Sequence, residues 1–271
     1  MPLTDLIRYF NVADTAGEST LYPEGQRAAA WHRGLRLGSL FEPIVDLRRE
    51  KVVGHQARLT ARREDGTEAG ASAAYAACES AESVVRFDRL CRTLHALNFL
   101  AQQRYAGGYL QLSVHPRHVL AVQNQHGLVY EAILKRCGLA PDDIVLHIDL
   151  PTIGDHTRLA AALTSYRQRG YRLALSGPDT VSGVDELLDL EPDILKLPAG
   201  EGAHLIEAAH HRGILIEQGG IESARDFSQA GVAAVDLGRG SLFGTAAPDC
   251  RPTHDKRRVA YNHPSPFGAS K

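Results

Sequence analysis

The sequence has no long hydrophobic run and few cysteine or aromatic residues. Its 271 residues include four cysteines and one tryptophan, and aromatic residues make up 6% of the chain. The cysteines are widely scattered, at Cys78, Cys91, Cys137 and Cys250, without C-x-x-C spacing. Buried free thiols are therefore favoured over zinc ligands or a disulfide framework.

The N-terminal stretch "MPLTDLIRYFNVADT" has no apolar run long enough for a signal peptide or a membrane span. We therefore expect a cytoplasmic protein. A net charge of -2 with 44% hydrophobic and 23% charged residues is typical of an ordinary globular domain. The composition indicates neither a nucleic-acid partner nor a membrane partner.

Short runs rich in Val, Ile and Leu alternate with stretches of helical periodicity from residue 41 onward, a pattern typical of an α/β fold with a mostly parallel sheet. We predict eight strands, which begin at Phe41, Val52, Gly108, Asp143, Arg172, Ile194, Gly213 and Ala234. Only "RREK" separates the first two, too short for a crossover helix, so that pair is predicted to be antiparallel. The expected fold is a TIM-like (β/α)8 barrel with its first strand antiparallel and its site at the C-terminal strand ends.

Helical periodicity is clearest in two segments between these strands. Their apolar faces are formed by Val84, Phe87, Cys91 and Leu94, and by Leu159, Leu163 and Tyr166. The segment "AGEGAHLIEAAHHR", between the sixth and seventh strands, is short, so we expect its helix to be trimmed.

Three regions are predicted along the chain. Residues 1–38 contain the Ala- and Arg-rich stretch "EGQRAAAWHRGLRLG" and are predicted to form an N-terminal helical extension that packs on the barrel. Residues 39–250 form the barrel. Residues 251–271 are polar, basic and proline-containing, and are predicted to be a poorly packed C-terminal tail.

Four sequence blocks occur in the order that is typical of one protein family. "EPIVDL" looks like Q-P-I-V-D-L and "EPDILKLP" like P-V-D-I-L-K-I-D, while "GGIESARDF" and "VDLGRGSLFG" are similar to E-G-V-E-T and D-Y-V-Q-G-Y-L-F-G. Over residues 38–250 the chain thus resembles the EAL domain family. The resemblance implies a barrel phosphodiesterase that hydrolyses cyclic di-GMP, with divalent cations held by carboxylates and an Asn at the strand ends.

Most of the family's metal-binding positions carry other residues here. The acids and the Asn that the resemblance implies are replaced by Gln56, Ser113, His147, Ser176, Gly177 and Gly219. Ser176 and Gly177 correspond to two adjacent aspartates of the family, and if the match shifts by one residue, Leu175 corresponds to one of them. An amide, two hydroxyls, an imidazole and glycines do not supply the anionic ligands of a two-metal site. We therefore predict no metal, no cofactor and no catalytic residue. The resemblance also implies that Thr60 stands where the family has a ligand-contacting Arg. Glu42 stands where the family has the initial Gln of its first motif.

The predicted site is a vestigial ligand pocket at the barrel mouth. Its candidate residues are Gln56, Arg58, Ser113, His147, Asp149, Lys196, Glu222 and Arg239. Three cations among them, Arg58, Lys196 and Arg239, are expected to make the mouth cationic. Glu217 shares its side of the strand with Gly219 and is able to return one acid to the pocket.

The leading hypothesis is a catalytically inactive EAL-like domain that acts as a regulatory or scaffold protein through contacts with an unknown regulatory protein. One alternative is a non-hydrolysing cyclic di-GMP receptor in which Arg58, Lys196 and Arg239 contact the phosphates. Another is a residual phosphodiesterase that uses His147 with Asp149, although we favour a hydrogen-bonded pair that fills space. Lys196 is either a phosphate anchor or Schiff-base lysine, or a partner of Asp149 or Glu222.

Overall fold

The computed structural model describes residues 3–13, 19–102, 108–122, 127–150, 156–177, 184–200 and 203–251. The predicted tail lies outside the described residues except for Arg251. Ten strands are described: β1 (Ser19–Glu24), β2 (Arg27–His32), β3 (Leu35–Asp46), β4 (Lys51–Arg62), β5 (Tyr109–Val114), β6 (Ile144–Asp149), β7 (Arg172–Ser176), β8 (Ile194–Leu197), β9 (Leu215–Gln218) and β10 (Leu237–Gly238). The described helices are α1 (Leu3–Ala13), α2 (Gly70–Ala76), α3 (Ala81–Leu100), α4 (Pro116–Ala121), α5 (Leu128–Cys137), α6 (His156–Gln168), α7 (Val184–Asp189), α8 (Ala203–His211) and α9 (Ala224–Val232).

Strands β3 to β10 close into an eight-stranded barrel, as predicted. Each strand from β4 to β10 is parallel to the next, while β3 is antiparallel to both of its neighbours, β4 and β10. All eight predicted strands are present, and the antiparallel first pair is confirmed. The C-terminal ends of the seven parallel strands therefore meet at one mouth, where a barrel of this type places its site.

The predicted helix over the Ala- and Arg-rich segment is wrong. That segment forms part of the β1–β2 hairpin and the beginning of β3, so the helical part of the N-terminal extension is limited to α1. The two residues between β2 and β3, Arg33 and Gly34, have φ values of 47° and 77°, as a tight type I′ hairpin turn requires. Strand pairing with β3 overrides the helix propensity of Ala28 to Ala30.

The N-terminal extension packs on the barrel, as expected. Leu6, Ile7 and Phe10 of α1 join one buried cluster with residues of the hairpin, of β3 and β4, and of α3. The predicted apolar faces of α3 and α6 are both buried. Helix α8 has nine residues, in line with the predicted trimming.

All four cysteines are free, with Cys78 and Cys91 buried and Cys137 and Cys250 half-buried. Burial raises the pKa of Cys91 well above its usual value and that of Cys137 to about 11, so these thiols are unreactive. Among the described helices, none combines the length and apolar character that a membrane span requires.

Candidate functional site

The barrel interior is layered. An apolar layer, made of Ile44, Tyr109, Val145, Ala174, Ile194 and Leu237, fills the barrel. Because strand side chains alternate between faces, the residues two positions further toward the mouth point to the same interior. Those residues are polar: Glu42, Gln111, His147, Ser176, Lys196 and Arg239. Glu217 occupies the equivalent position on β9, two residues after Leu215, which packs against the apolar layer.

Five charged side chains at this level form a chain of alternating sign, which we call the charge chain: Lys196, Glu217, Arg239, Glu42 and Arg58. Lys196 Nζ lies 3.1 Å from Glu217 Oε1, which also accepts from Arg239 Nε at 2.5 Å. Arg239 Nη1 donates to Glu42 Oε2 at 2.9 Å, and Arg58 Nη2 lies 2.6 Å from the same oxygen. The charge chain therefore runs from the closed interior, where Glu217 has no exposed surface, to the rim, where the Arg58 side chain is 52% exposed.

Lys196 is held on three sides by oxygen atoms. Its ammonium donates to Gln111 Oε1 at 2.9 Å and to Gln56 Oε1 at 3.2 Å, and it contacts Glu217 at 3.1 Å. An ammonium has three hydrogen-bond donors, so all of them are used. The partner of Lys196 is thus Glu217, in place of the predicted Asp149 or Glu222.

Burial and neighbouring charges compete in setting the pKa values of this group. Burial lowers the pKa of Lys196 to about 8, although Glu217 opposes the shift. Burial alone would raise the pKa of Glu217, but Lys196 and Arg239 outweigh it and lower that pKa to about 2. For Arg239, burial would lower the pKa, yet Glu217 and Glu42 raise it above its ordinary value. Glu217 and Arg239 are therefore both charged at neutral pH.

His147 and Asp149 are connected through Ser176 and not directly. Ser176 Oγ donates to Asp149 Oδ1 at 3.1 Å and lies 2.9 Å from His147 Nε2. Because the hydroxyl proton points to Asp149, His147 must donate its Nε2 proton to Ser176. Burial, with Lys196 nearby, lowers the pKa of His147 well below its usual value, so the ring is neutral. A neutral, hydrogen-bonded imidazole agrees with the space-filling interpretation of this pair.

The other predicted pocket residues lie at the rim or outside it. Ser113 is exposed. It is opposite His147 in the strand register, and on its own strand it lies two residues nearer the rim than Gln111. Glu222 is exposed, and its backbone N–H donates to Asp226 Oδ2 at 3.1 Å next to the N-cap of α9. It lies after the end of β9, where strand alternation no longer determines the direction of a side chain, so its place in the pocket stays a prediction.

Sequence reasoning missed Gln111, and it left the role of Glu42 open. Gln111 Nε2 donates to Glu217 Oε2 at 2.8 Å while Gln111 Oε1 accepts from Lys196, so this amide bridges the buried ion pair. The available signal was the spacing of two residues between Gln111 and Ser113 on β5, which places both side chains on one strand face. The expected cationic character of the mouth is offset: Glu42 and Glu217 each contact two of the three cations, and the Asp149 carboxylate, hydrogen-bonded to Ser176, adds a third negative charge.

Gly177 and Gly219, which the sequence resemblance places at acid positions, each have a close side-chain neighbour. A Cβ atom at Gly219 would lie 3.2 Å from Arg239 Nη2, so the guanidinium would have to move by a few tenths of an ångström. A Cβ atom at Gly177 would lie 2.4 Å from Leu187 Cδ1, so the Leu187 side chain would have to shift.

The donors at the mouth do not fit a divalent cation. Within the described ranges, no three His, Cys, Asp or Glu side chains come together at one point. The two buried carboxylates, Glu42 and Glu217, already contact cationic nitrogens. A divalent ion needs several free anionic oxygens, which this group does not offer.

Three further histidines, His55, His115 and His118, have other contacts. His55 is adjacent to Gln56 and faces the other side of β4, and its Nε2 accepts the Arg251 backbone N–H at 3.1 Å. His118 Nδ1 lies 3.0 Å from the buried Asp88, and His115 stacks on the ring of Tyr75.

Comparison with known proteins identifies relatives of this barrel. The family model described as EAL domain matches residues 26–246. The chain is also similar to the solved structure of the Bacillus subtilis YkuI protein with cyclic di-GMP and calcium, at 18% identity and a TM-score of 0.66, over 80% of this chain and 57% of that one. Klebsiella pneumoniae BlrP1 with manganese and cyclic di-GMP is similar at 19% identity and a TM-score of 0.66, over 87% of this chain and 62% of that one. A standalone EAL protein from Vibrio cholerae O395 with cyclic di-GMP is similar at 16% identity and a TM-score of 0.62, over 80% of this chain and 95% of that one. The chain thus spans about three fifths of the first two relatives. No curated protein sequence matches the chain.

Proposed function

The chain belongs to the EAL domain family, and from that premise we propose that it is a catalytically inactive member, a regulatory or scaffold domain that works through contacts with another protein. Its setting is cyclic di-GMP-related signalling, the setting of the family. The partner is a regulatory protein, and no metal or cofactor takes part.

The charge chain is the observation that carries this proposal. A metal-dependent phosphodiesterase needs carboxylates that are free to bind cations, which activate the attacking water. In this chain the buried carboxylates Glu42 and Glu217 are held by Arg58, Arg239 and Lys196. The close approach of Leu187 to Gly177 and of Arg239 to Gly219 supports the same proposal, because a side chain at either position requires its neighbour to shift.

Hydrolysis of cyclic di-GMP by the purified full chain, with Mg²⁺ or Mn²⁺, tests this proposal. The expected result is no linear product above the background without protein. A Glu217→Gln variant purified in the same way is the control for contaminating enzymes. Metal-dependent hydrolysis that is present in the wild type and absent from that variant would overturn the proposal.

A non-hydrolysing cyclic di-GMP receptor is the second candidate, and the position of Arg58 favours it. Its guanidinium is half-exposed at the rim, and guanidinium groups bind phosphate oxygens bidentately. The YkuI and BlrP1 structures contain cyclic di-GMP, which makes that ligand the one to test. Against this candidate, Lys196 has no hydrogen-bond donor left for a phosphate.

Isothermal titration with cyclic di-GMP in the presence of Ca²⁺ separates the two candidates. The receptor hypothesis predicts saturable heat that Arg58→Ala abolishes and that Arg225→Ala, an exposed arginine on α9, leaves unchanged. The scaffold hypothesis predicts no heat from folded protein. If binding occurs and Arg58→Ala does not weaken it, the proposed phosphate contact is wrong.

A further inference from the structure

Strands β3 and β4 continue past the barrel mouth and form, with the β1–β2 hairpin, a four-stranded antiparallel sheet. One face of this sheet packs against α1 and α3 through Leu21, Ala28, Leu37 and Ala61. The residues between them point to the opposite side. We call that side the open sheet face, defined by Tyr22, Arg27, Trp31, Arg36, Arg58 and Arg62.

The strand register places these six side chains together. Trp31 is the cross-strand partner of Arg36, which in turn is opposite Arg62 on β4. Arg58 lies on the same face four residues before Arg62, next to Glu42 at the mouth. The open sheet face is therefore continuous with the charge chain.

An aromatic pair lies at the outer end of this face. Trp31, the one tryptophan of the chain, is 38% exposed, and its ring stacks on Tyr22 with centroids 6.4 Å apart and planes 23° from parallel. Trp, Tyr and Arg are the residue types that most often dominate the binding energy of protein interfaces. A rigid sheet that displays all three together has the composition of an interface centre.

Three of the four arginines of the open sheet face already bind carboxylates. Arg36 pairs with Glu24, Arg27 with Asp249 and Arg58 with Glu42. The first two pairs are exposed, and such pairs contribute about 0–1 kcal/mol, so another carboxylate can replace the internal one. Arg62 is exposed and forms no ion pair with any other described residue.

The edge of this sheet, in contrast, is closed to a partner strand. The Asn11 side chain donates to Leu21 O at 2.7 Å and accepts from Leu21 N at 2.8 Å, as a neighbouring strand would. Pro23, in the same edge strand, has no backbone N–H to offer. A partner protein is therefore expected to bind the open sheet face and not to add a strand at the β1 edge.

We propose that the open sheet face is a docking surface for an acidic segment of a partner protein. Its carboxylates bind Arg36, Arg62 and Arg27, and an apolar side chain packs on the Trp31–Tyr22 pair. This proposal rests on the proposed protein-contact function and names the chemistry of the partner. A protein carboxylate is favoured over nucleic-acid phosphate because carboxylates already fit these arginines and because the chain has a net charge of -2.

The test is a selection of random 12-residue peptides displayed on phage against the full chain, followed by titration of the best synthetic peptide. The emission of Trp31 reports directly on occupancy, since no other tryptophan contributes. The expected peptide is acidic, contains an apolar residue and shifts this emission. Arg36→Ala and Arg62→Ala should each weaken binding about 30-fold, the loss of one interface hot spot, while Arg225→Ala leaves it unchanged.

Four results would overturn the proposal: no enriched peptide, enrichment of basic peptides, binding that leaves Trp31 emission unchanged, or tighter binding of a 12-nucleotide oligo-dT. Arg62 is exposed, so the Arg62→Ala protein is expected to fold, and circular dichroism verifies this. The outcome is distinguishable from failure of the proposed function, which the hydrolysis assay decides without any peptide.

Discussion

At the scale of single residues, the charge chain depends on mutual compensation. Glu217 is fully buried and carries its charge only because Lys196, Arg239 and Gln111 surround it. Removing one partner of a buried ion pair leaves an uncompensated charge. The resulting loss of folding stability is larger than the net contribution of the intact pair. Each member is therefore expected to be sensitive to substitution, whatever the net contribution of the whole group.

Lys196→Met should destabilise the fold by about 3–5 kcal/mol, the usual cost of removing one partner of a buried pair. Chemical denaturation measures the loss. Lys51→Met, at an exposed lysine of β4, is the matched control and should change stability by less than about 0.5 kcal/mol. The double variant Lys196→Met/Glu217→Gln should lose less than the sum of the single changes. Additive losses would mean that the two side chains do not interact.

Stability should also fall in acid because of Glu217. Its folded-state pKa of about 2 lies below the ordinary value of 4.5, so its contribution is fully present above pH 4.5 and is lost as the pH falls toward 2. A shift of this size corresponds to about 3 kcal/mol. Unfolding free energies measured across that pH range should decline more steeply for the wild type than for Glu217→Gln. Parallel curves would contradict the lowered pKa.

Part of this site could be predicted from the sequence. Strand alternation correctly indicated that Glu217 was able to return an acid to the pocket. It did not identify Lys196 as its partner, nor Gln111 as the bridge, because alternation gives the face of a side chain and not the neighbour it reaches across the barrel. For Glu222, alternation gives no direction, because the strand ends before that residue.

At the scale of elements, pairing between distant strands determines the secondary structure of segments whose local propensity is weak or misleading. The hydrophobic runs predicted all eight barrel strands because most of the barrel strands, β5 and β6 for example, are largely buried, which leaves a strong signal. The Ala-rich hairpin has no such signal. Its strands exist because they extend the sheet of β3 and because the turn at Arg33 and Gly34 accepts left-handed backbone.

The β1 edge strand should depend on Asn11. Asn11→Ala removes both side-chain bonds to Leu21, which should cost about 1–3 kcal/mol because the backbone groups lose their partners. Asn11→Asp keeps the acceptor for Leu21 N but sets a carboxylate oxygen against Leu21 O, so thermal or chemical denaturation should place it close to Asn11→Ala. An Asn11→Ala protein as stable as the wild type would show that Asn11 does not hold the edge.

At the scale of the whole molecule, the EAL-family barrel has a mouth whose charged and polar side chains are bonded to one another. Directly above the apolar layer, Glu42 and Glu217 contact cationic nitrogens, and Gln111 bridges Lys196 and Glu217. The surface above the mouth then carries the arginines and the aromatic pair. We infer a barrel whose inside has become structural and whose function has moved to its surface.

The most direct test is a titration of the full chain with Mn²⁺, in which electron paramagnetic resonance measures the concentration of the free ion. The charge chain predicts that the free Mn²⁺ signal stays undiminished by the protein, with no site tighter than about 1 mM. One or two ions bound per chain, and lost in Glu217→Gln, would show that these carboxylates are free to hold a metal and would contradict the account.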